Sequence, residues 1–293
     1  MEEVGRGQCC GNAAGNTDLD GRACGIIVHE APTPECHLVR DQNVLLNTGI
    51  LLPRVGDGFL GSCFVFRYAT TFLTAAHCVK DLAPRDVGVL LPGAPAEYAF
   101  GVVNITCHPQ ADLAVLQVPE VREEQVTWPQ YTLFDDRELG VEFTACGYPQ
   151  EFRHIAHIAV GQPTLRVFRG YVQRFFPHTS HMGYRYFAAE LSTPCPAGLS
   201  GAPVFNSGFH GRLYGVVAED VKTSTELESV IEVKDGDKTR EELYHNVIHY
   251  GVAVWLPAIA SWLDQIVPPV SDEEIQRRGA NQQRLRKQQQ VGQ

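Results

Sequence analysis

The sequence predicts an all-β domain, a barrel or a sandwich, that ends in one short helix. Three observations carry this expectation. Short runs rich in β-branched and aromatic residues recur along the chain, and turn residues separate them. Glycine and proline are frequent, at 27 and 18 of the 293 residues. Apolar residues return at helical spacing at one place, where Ile259, Trp262, Leu263 and Ile266 follow one another.

The elements follow in order. Residues 1–40 form an arm in which Cys9, Cys10, Cys24 and Cys36 stand near His29 and His37. These spacings do not make a Cys-x-x-Cys framework, and Asn, Gly and Pro fill the gaps, so we read a loosely structured segment rather than a zinc site. Strand-like runs begin at 44–46 and 50–52 and continue at 64–66 and 72–74, with a turn expected over 67–71. Residues 56–61 have the glycine spacing of a dinucleotide fingerprint, but a β-rich run follows where a helix is required, so a turn is expected there. Runs at 102–105 and 114–118 complete a first half, about 41–135. A second half, about 140–254, opens at 142–144 and ends in the strand 251–254 before the helix, about 256–266. After Pro268 and Pro269 the chain turns to Gln and Arg, and 268–293 reads as a solvated helix or a disordered tail.

Composition narrows the function classes. A 44% hydrophobic, 20% charged chain has the makeup of a globular protein with a core. The net charge of −10 argues against a nucleic-acid partner, which needs a basic face. No apolar stretch reaches the ~20 residues of a membrane span, because Pro257 and Asp264 interrupt 252–267. The first residues, Met1 to Arg6, show neither the basic cap nor the apolar run of a signal peptide, and the nine cysteines are an odd number. Both point to a reducing, cytoplasmic setting with free thiols.

The chemistry lies in three segments. Thr74-Ala75-Ala76-His77-Cys78 sets a histidine behind two small residues at the end of an apolar run. Asp112 opens Asp112-Leu113-Ala114-Val115-Leu116, and Ser200 sits within Gly198-Leu199-Ser200-Gly201-Ala202-Pro203. A serine between glycines also occurs in the α/β-hydrolase elbow, but there the serine comes first and the histidine last. Here the order is His, Asp, Ser.

In these segments, together with Gly61-Ser62-Cys63-Phe64-Val65 and Cys146-Gly147-Tyr148-Pro149, the chain resembles the trypsin-like serine peptidases. The short intracellular bacterial and HtrA-like domains are the most similar, without a following PDZ-like segment. The resemblance implies two six-stranded-type antiparallel β-barrels of the chymotrypsin type with a C-terminal helix, in a domain over 41–267. It implies a serine endopeptidase that cuts protein or peptide substrates through an acyl-enzyme. His77 would be the base, Asp112 its partner and Ser200 the nucleophile. Backbone N–H groups of Gly198 and Ser200 would hold the oxyanion. A silent binding module with the same fold, or an esterase with the same triad, is the alternative. No cofactor and no metal are expected, since the pairs His154/His157 and His178/His181 have no evident third ligand. A regulatory partner is left open.

The resemblance also implies a pocket. Pro194, six residues before the serine, would be its floor, Ala218, Glu219 and Asp220 the facing strand, and Gly251 the far wall. An uncharged floor favours a small or medium apolar side chain, although Glu219 and Asp220 would give an acidic rim. Secreted relatives pair an acid just before the serine with a freed N-terminus; Leu199 occupies that place. Control would then fall to a polar loop over 221–249. Cys63 and Cys78 stand where secreted relatives carry a disulfide, so they are expected to be neighbours, here as thiols.

Overall fold

The computed structural model describes residues 47–55, 58–92, 99–119, 132–133, 135, 137–150, 165–207, 212–235 and 238–280. The chain divides into units 1–39 and 40–293, and everything described belongs to the second. The N-terminal arm and the pair His154/His157 lie outside the described residues.

The first sheet is built from β1 (Thr48–Pro53), β2 (Gly61–Phe66), β3 (Tyr68–Thr74), β4 (Val87–Leu90), β5 (Phe100–Gly101), β6 (Asn104–Cys107) and β7 (Ala114–Gln117). Their order is β5-β4-β1-β2-β3-β7-β6, antiparallel throughout. The second is built from β8 (Thr132–Leu133), β9 (Glu142–Gly147), β10 (Arg166–Thr179), β11 (Arg185–Leu191), β12 (Pro203–Asn206), β13 (Arg212–Asp235) and β14 (Lys238–Trp255). Here β12 pairs with both β9 and β13, so six antiparallel strands close into a ring. β8 adds alongside β13 in parallel. The protein is thus all-β, with two curled antiparallel sheets of the chymotrypsin-like type.

Side-chain alternation explains why β2 is buried along its whole length. Cys63 and Val65 point into the first barrel with Leu51, Phe72 and Leu116, whereas Phe64 and Phe66 face outward onto a second cluster. That second cluster joins Leu73, Leu113 and Val115 of the first barrel to Leu213 and Val216 of β13. A 3-10 turn (Leu256–Ile259) and α1 (Ala260–Ile266) then cover it, with Ile259, Trp262, Leu263 and Ile266 all packed inward. Each large apolar side chain removed from water there contributes about 1.5–3 kcal/mol, so the cluster holds the two halves in one orientation. The second barrel has its own core around Phe143, Leu191, Leu199, Tyr214 and Trp255.

Two expectations are corrected and one is refined. The turn foreseen over 67–71 is Arg67 alone, at φ 59, and β3 begins at Tyr68. Arg67 is held in this left-handed conformation from outside, because its guanidinium donates to Val267 O and to Asp264 Oδ1. The tail, read as a solvated helix or as disordered, is a mostly exposed helix over its described part, but one that is docked. Residues 272–280 are helical, the Glu274 N–H donates to Ser271 Oγ at 3.3 Å, and the buried Arg278 donates to Arg67 O at 2.7 Å. Residues 221–249 are no structureless loop either. β13 and β14 run on as a single antiparallel ladder, with pairs from Asp220↔Gly251 out to Asp235↔Lys238. A loop whose trimming would control the site is therefore withdrawn. Among the described residues, no helix is long and apolar enough to cross a membrane.

Candidate active site

β3 ends at Thr74 and passes through the buried Ala75 into a 3-10 turn (Ala76–Cys78) that carries His77. Both oxygens of Asp112 are spent on this one residue. Oδ2 meets His77 Nδ1 at 2.6 Å, and Oδ1 accepts the His77 backbone N–H at 2.8 Å. The two-point contact fixes the ring against the carboxylate through Nδ1.

Asp112 is buried just ahead of β7, and its loop is stapled by a residue the sequence did not single out for a role. His108 Nδ1 accepts the N–H groups of Gln110 at 3.1 Å and Ala111 at 2.8 Å, and the His108 N–H donates to Leu113 O at 2.8 Å. Its ring stands edge-on to Trp262 of α1, 4.8 Å between centroids. Burial pushes the His108 pKa down, which keeps Nδ1 an acceptor.

Ser200 lies in a turn pinned on both sides. Its carbonyl accepts Ser62 N–H of β2 at 2.8 Å, and Gly201 N–H donates to Val217 O at 2.8 Å. Its hydroxyl donates to Ala218 O at 3.5 Å, and among the described residues no hydrogen bond joins it to His77. The histidine and serine turns are nevertheless neighbours across Gly61. A Cβ on Gly61 would stand 2.7 Å from Cys78 Sγ and 2.9 Å from Ser200 O.

Gly198 has φ +90, and the turn around it is closed by Leu199 N–H donating to Pro196 O at 3.0 Å. The Ala197 carbonyl accepts Gln150 N–H at 2.7 Å, and in a trans peptide this turns the Gly198 N–H the opposite way. Among the described residues, neither the Gly198 nor the Ser200 N–H has an acceptor. Two open donors beside a serine are what a developing oxyanion needs. Ser62 holds the shape: its hydroxyl donates to Gly198 O and accepts Tyr148 N–H, each at 2.9 Å. Ser62 lies 136 residues from Gly198 in sequence, so no local signal marks this role. Leu199 is fully buried in the second barrel's core.

Of the residues expected to line a pocket, three share the β13–β14 ladder, with Glu219 opposite Val252 and Asp220 opposite Gly251. Pro194 is exposed, and a Cβ on Gly251 would meet its two neighbours, Cys195 Sγ at 2.2 Å and Thr193 O at 2.9 Å. The acids are engaged. Glu219 binds His178 Nε2 at 2.7 Å through one oxygen and His181 Nδ1 at 2.6 Å through the other. Burial works against its ionisation, but these two histidines outweigh that and hold its carboxyl below the usual range. Asp220 accepts Cys195 N–H at 3.1 Å and meets His249 Nδ1 at 2.9 Å. No group of side chains that could hold a metal ion occurs among the described residues. Cys63 and Cys78 share the first barrel's core as free thiols, and burial, with Cys78 nearby, pushes the Cys63 thiol up.

A family profile described as a trypsin-like peptidase domain matches residues 61–216, a span that contains His77, Asp112 and Ser200. The chain belongs to that family. It is a trypsin-like serine endopeptidase. Among solved structures, the active form of the Rv3671c protease from M. tuberculosis is similar at TM-score 0.52 and 16% identity, over 81% of this chain and 90% of that one. The MamO protease domain from Magnetospirillum magneticum gives 0.52 and 16%, over 76% and 98%. An HtrA-type protease, AlgW, with a tripeptide gives 0.51 and 17%, over 77% of this chain and 61% of that one. At these identities the likeness shows the fold. No curated protein matches the sequence.

In this trypsin-like peptidase the electrostatics of His77 have a measurable consequence. Burial alone would lower its pKa, but the ring's hydrogen bond to the Asp112 carboxylate and the adjacent Cys78 sulfur outweigh it and push the value up to about 10. A raised value keeps the imidazole protonated, and the free base appears only as pH rises. We therefore expect kcat/KM to climb with pH through an apparent pKa well above the ordinary ~6.5. Stability should move the other way. The contribution of protonated His77 is complete below ~6.5 and is lost as pH rises through the folded value. A pH–rate profile read beside melting curves checks both. A profile that levels off near pH 6.5, or a His77→Ala protein whose melting temperature keeps the same alkaline slope, would remove this account.

Proposed function

We propose that this peptidase cuts protein or peptide chains through an acyl-enzyme on Ser200. His77 takes the hydroxyl proton as the bond to the substrate carbonyl forms and returns it to the leaving amine. Asp112 holds the ring in the right tautomer and stabilises the transient imidazolium. The N–H groups of Gly198 and Ser200 receive the oxyanion; loss of one such donor costs ~3–4 kcal/mol in comparable chemistry. The observation that carries this reading is the two-point grip of Asp112 on His77, in a turn whose Cys78 lies across Gly61 from Ser200 O. Labelling with a fluorophosphonate tests it, because only an activated serine reacts quickly.

Residues of the substrate before the cut bond would lie along Ala218, Glu219 and Asp220; Pro194, expected as a pocket floor, is exposed, and Cys195 Sγ fills the space a Cβ on Gly251 would take. Glu219 and Asp220 already have partners, so neither offers a bare charge to an incoming cation. A small or medium apolar side chain is expected just before the cut. A peptide library in which Lys or Arg dominated that position would overturn the assignment. The free cysteines among the described residues support a reducing, cytoplasmic setting.

A further inference from the structure

A cavity of about 290 Å3 opens beside the His77–Asp112 pair, lined by Lys80, Gln110, Tyr184, Arg185 and the turn of Met182 and Gly183. Lys80 follows His77 by three residues and Gln110 precedes Asp112 by two, so the catalytic pair and this cavity share two loops. The Arg185 N–H donates to Gln110 O at 2.8 Å and joins the far wall to the aspartate loop.

Its two cations stand out by what they lack. Elsewhere the described arginines commonly meet carboxylates: Arg67 meets Asp264, Arg174 meets Glu190, and both Arg277 and Arg278 meet Glu274. Lys80 and Arg185 are exposed, and among the described residues neither makes an ion pair. Lys80 Nζ sits 5.6 Å over the Tyr184 ring, a weak partner that leaves its charge uncompensated. Burial first, then Asp112 and more distant groups that include Asp81, push the Tyr184 hydroxyl up to about 12, so it stays a donor. Asp81 adjoins Lys80 in sequence but is not part of the lining. In a chain of net charge −10, two unpaired cations and a phenol donor around one cavity make a site for an anion.

The position along the substrate follows from a second contact. The turn that bears Met182 is tied to the substrate-facing strand, since His181 binds Glu219 through its ring at 2.6 Å, and Glu219 follows Ala218, whose carbonyl meets Ser200 Oγ. We propose that the Lys80–Arg185 cavity receives the carboxylate of an Asp or Glu side chain on the N-terminal side of the cut bond, so that the enzyme prefers acidic residues upstream. The inference rests on the reading of the catalytic site given above. Arg185 offers the planar fork that matches a carboxylate, and Lys80 a point charge.

Matched quenched-fluorescence peptides carrying Glu or Gln at the second, third or fourth residue before the cut test it. At low salt, kcat/KM for Glu over Gln is expected to favour Glu by about tenfold at one of these positions, and the ratio should shrink as salt rises. In a Lys80→Gln/Arg185→Gln protein the ratio, read within that protein, should fall to about one. Binding of the same peptides to the Ser200→Ala protein by fluorescence anisotropy should show the same Glu preference and the same loss. A ratio near one at all three positions, or a Glu preference that survives removal of both cations, overturns the proposal. Cleavage that persisted in the Ser200→Ala protein would sink the catalytic reading instead, and the anisotropy ratio would still report on the cavity.

Discussion

Ser200→Ala is expected to abolish fluorophosphonate labelling and to cut peptide hydrolysis by roughly a thousandfold or more, with the fold unchanged. In the proposed mechanism the hydroxyl oxygen is the atom that forms the acyl bond, and neither His77 nor Asp112 could replace it. The stability cost should be small. The hydroxyl's only hydrogen bond among the described residues is the long one to Ala218 O, whereas the turn is held by its backbone bonds to Ser62 and Val217. His77→Ala should lose a similar amount of rate, and the double variant little more than either single one, because the residues act on one step. A Ser200→Ala protein that turns over substrate at the wild-type rate would refute the assignment. One that melts many degrees lower would show instead that the hydroxyl is structural.

The sequence disclosed the parts of the site that are local and left obscure those that are not. His77, Asp112 and Ser200 each sit in a short segment whose small residues or apolar run suggest the proposed role, and their order argued against the hydrolase elbow. The helix was legible because Ile259, Trp262, Leu263 and Ile266 repeat at its period and nothing else competes. The supports of the site were not. Ser62 reaches Gly198 and Tyr148 across the molecule, and His108 staples the aspartate loop by accepting two N–H groups, a use of histidine that composition does not mark. The continuation of β13 and β14 was hidden by polarity. Its sequence is mostly polar and lacks the apolar alternation of a half-buried strand, so it reads as a loop. Asp235-Gly236-Asp237 in its middle, a hairpin-turn sequence, was the overlooked signal. The tail's helix was among the readings, but its docking was not legible, since Arg278 is held through its guanidinium and not through apolar surface.

Gly201→Ala is expected to cost about 3 kcal/mol or more and to remove activity, and Gly140→Ala supplies the comparison that isolates the cause. Both glycines have positive φ, +88 at Gly201 and +77 at Gly140, so each substitution carries the same left-handed backbone penalty of about 1 kcal/mol. The surroundings differ. A Cβ at Gly140 would meet nothing within 4 Å, whereas at Gly201 it would lie 1.9 Å from Ser62 O and 2.4 Å from Thr74 Oγ1. Neither neighbour can yield cheaply. Ser62 O is backbone of a strand buried along its length, and it already accepts the Thr74 hydroxyl at 2.8 Å. The nucleophile turn must therefore lift off β2, which breaks the bond from Ser62 N–H to Ser200 O and moves the Ser200 N–H away from that of Gly198. Stability and catalysis should fail together at Gly201, whereas Gly140→Ala should lose only the backbone penalty of about 1 kcal/mol and keep its labelling rate. Chemical denaturation and labelling rates on the two variants decide it. Equal stability in the two, with labelling intact at Gly201→Ala, would mean that the turn has room the geometry denies.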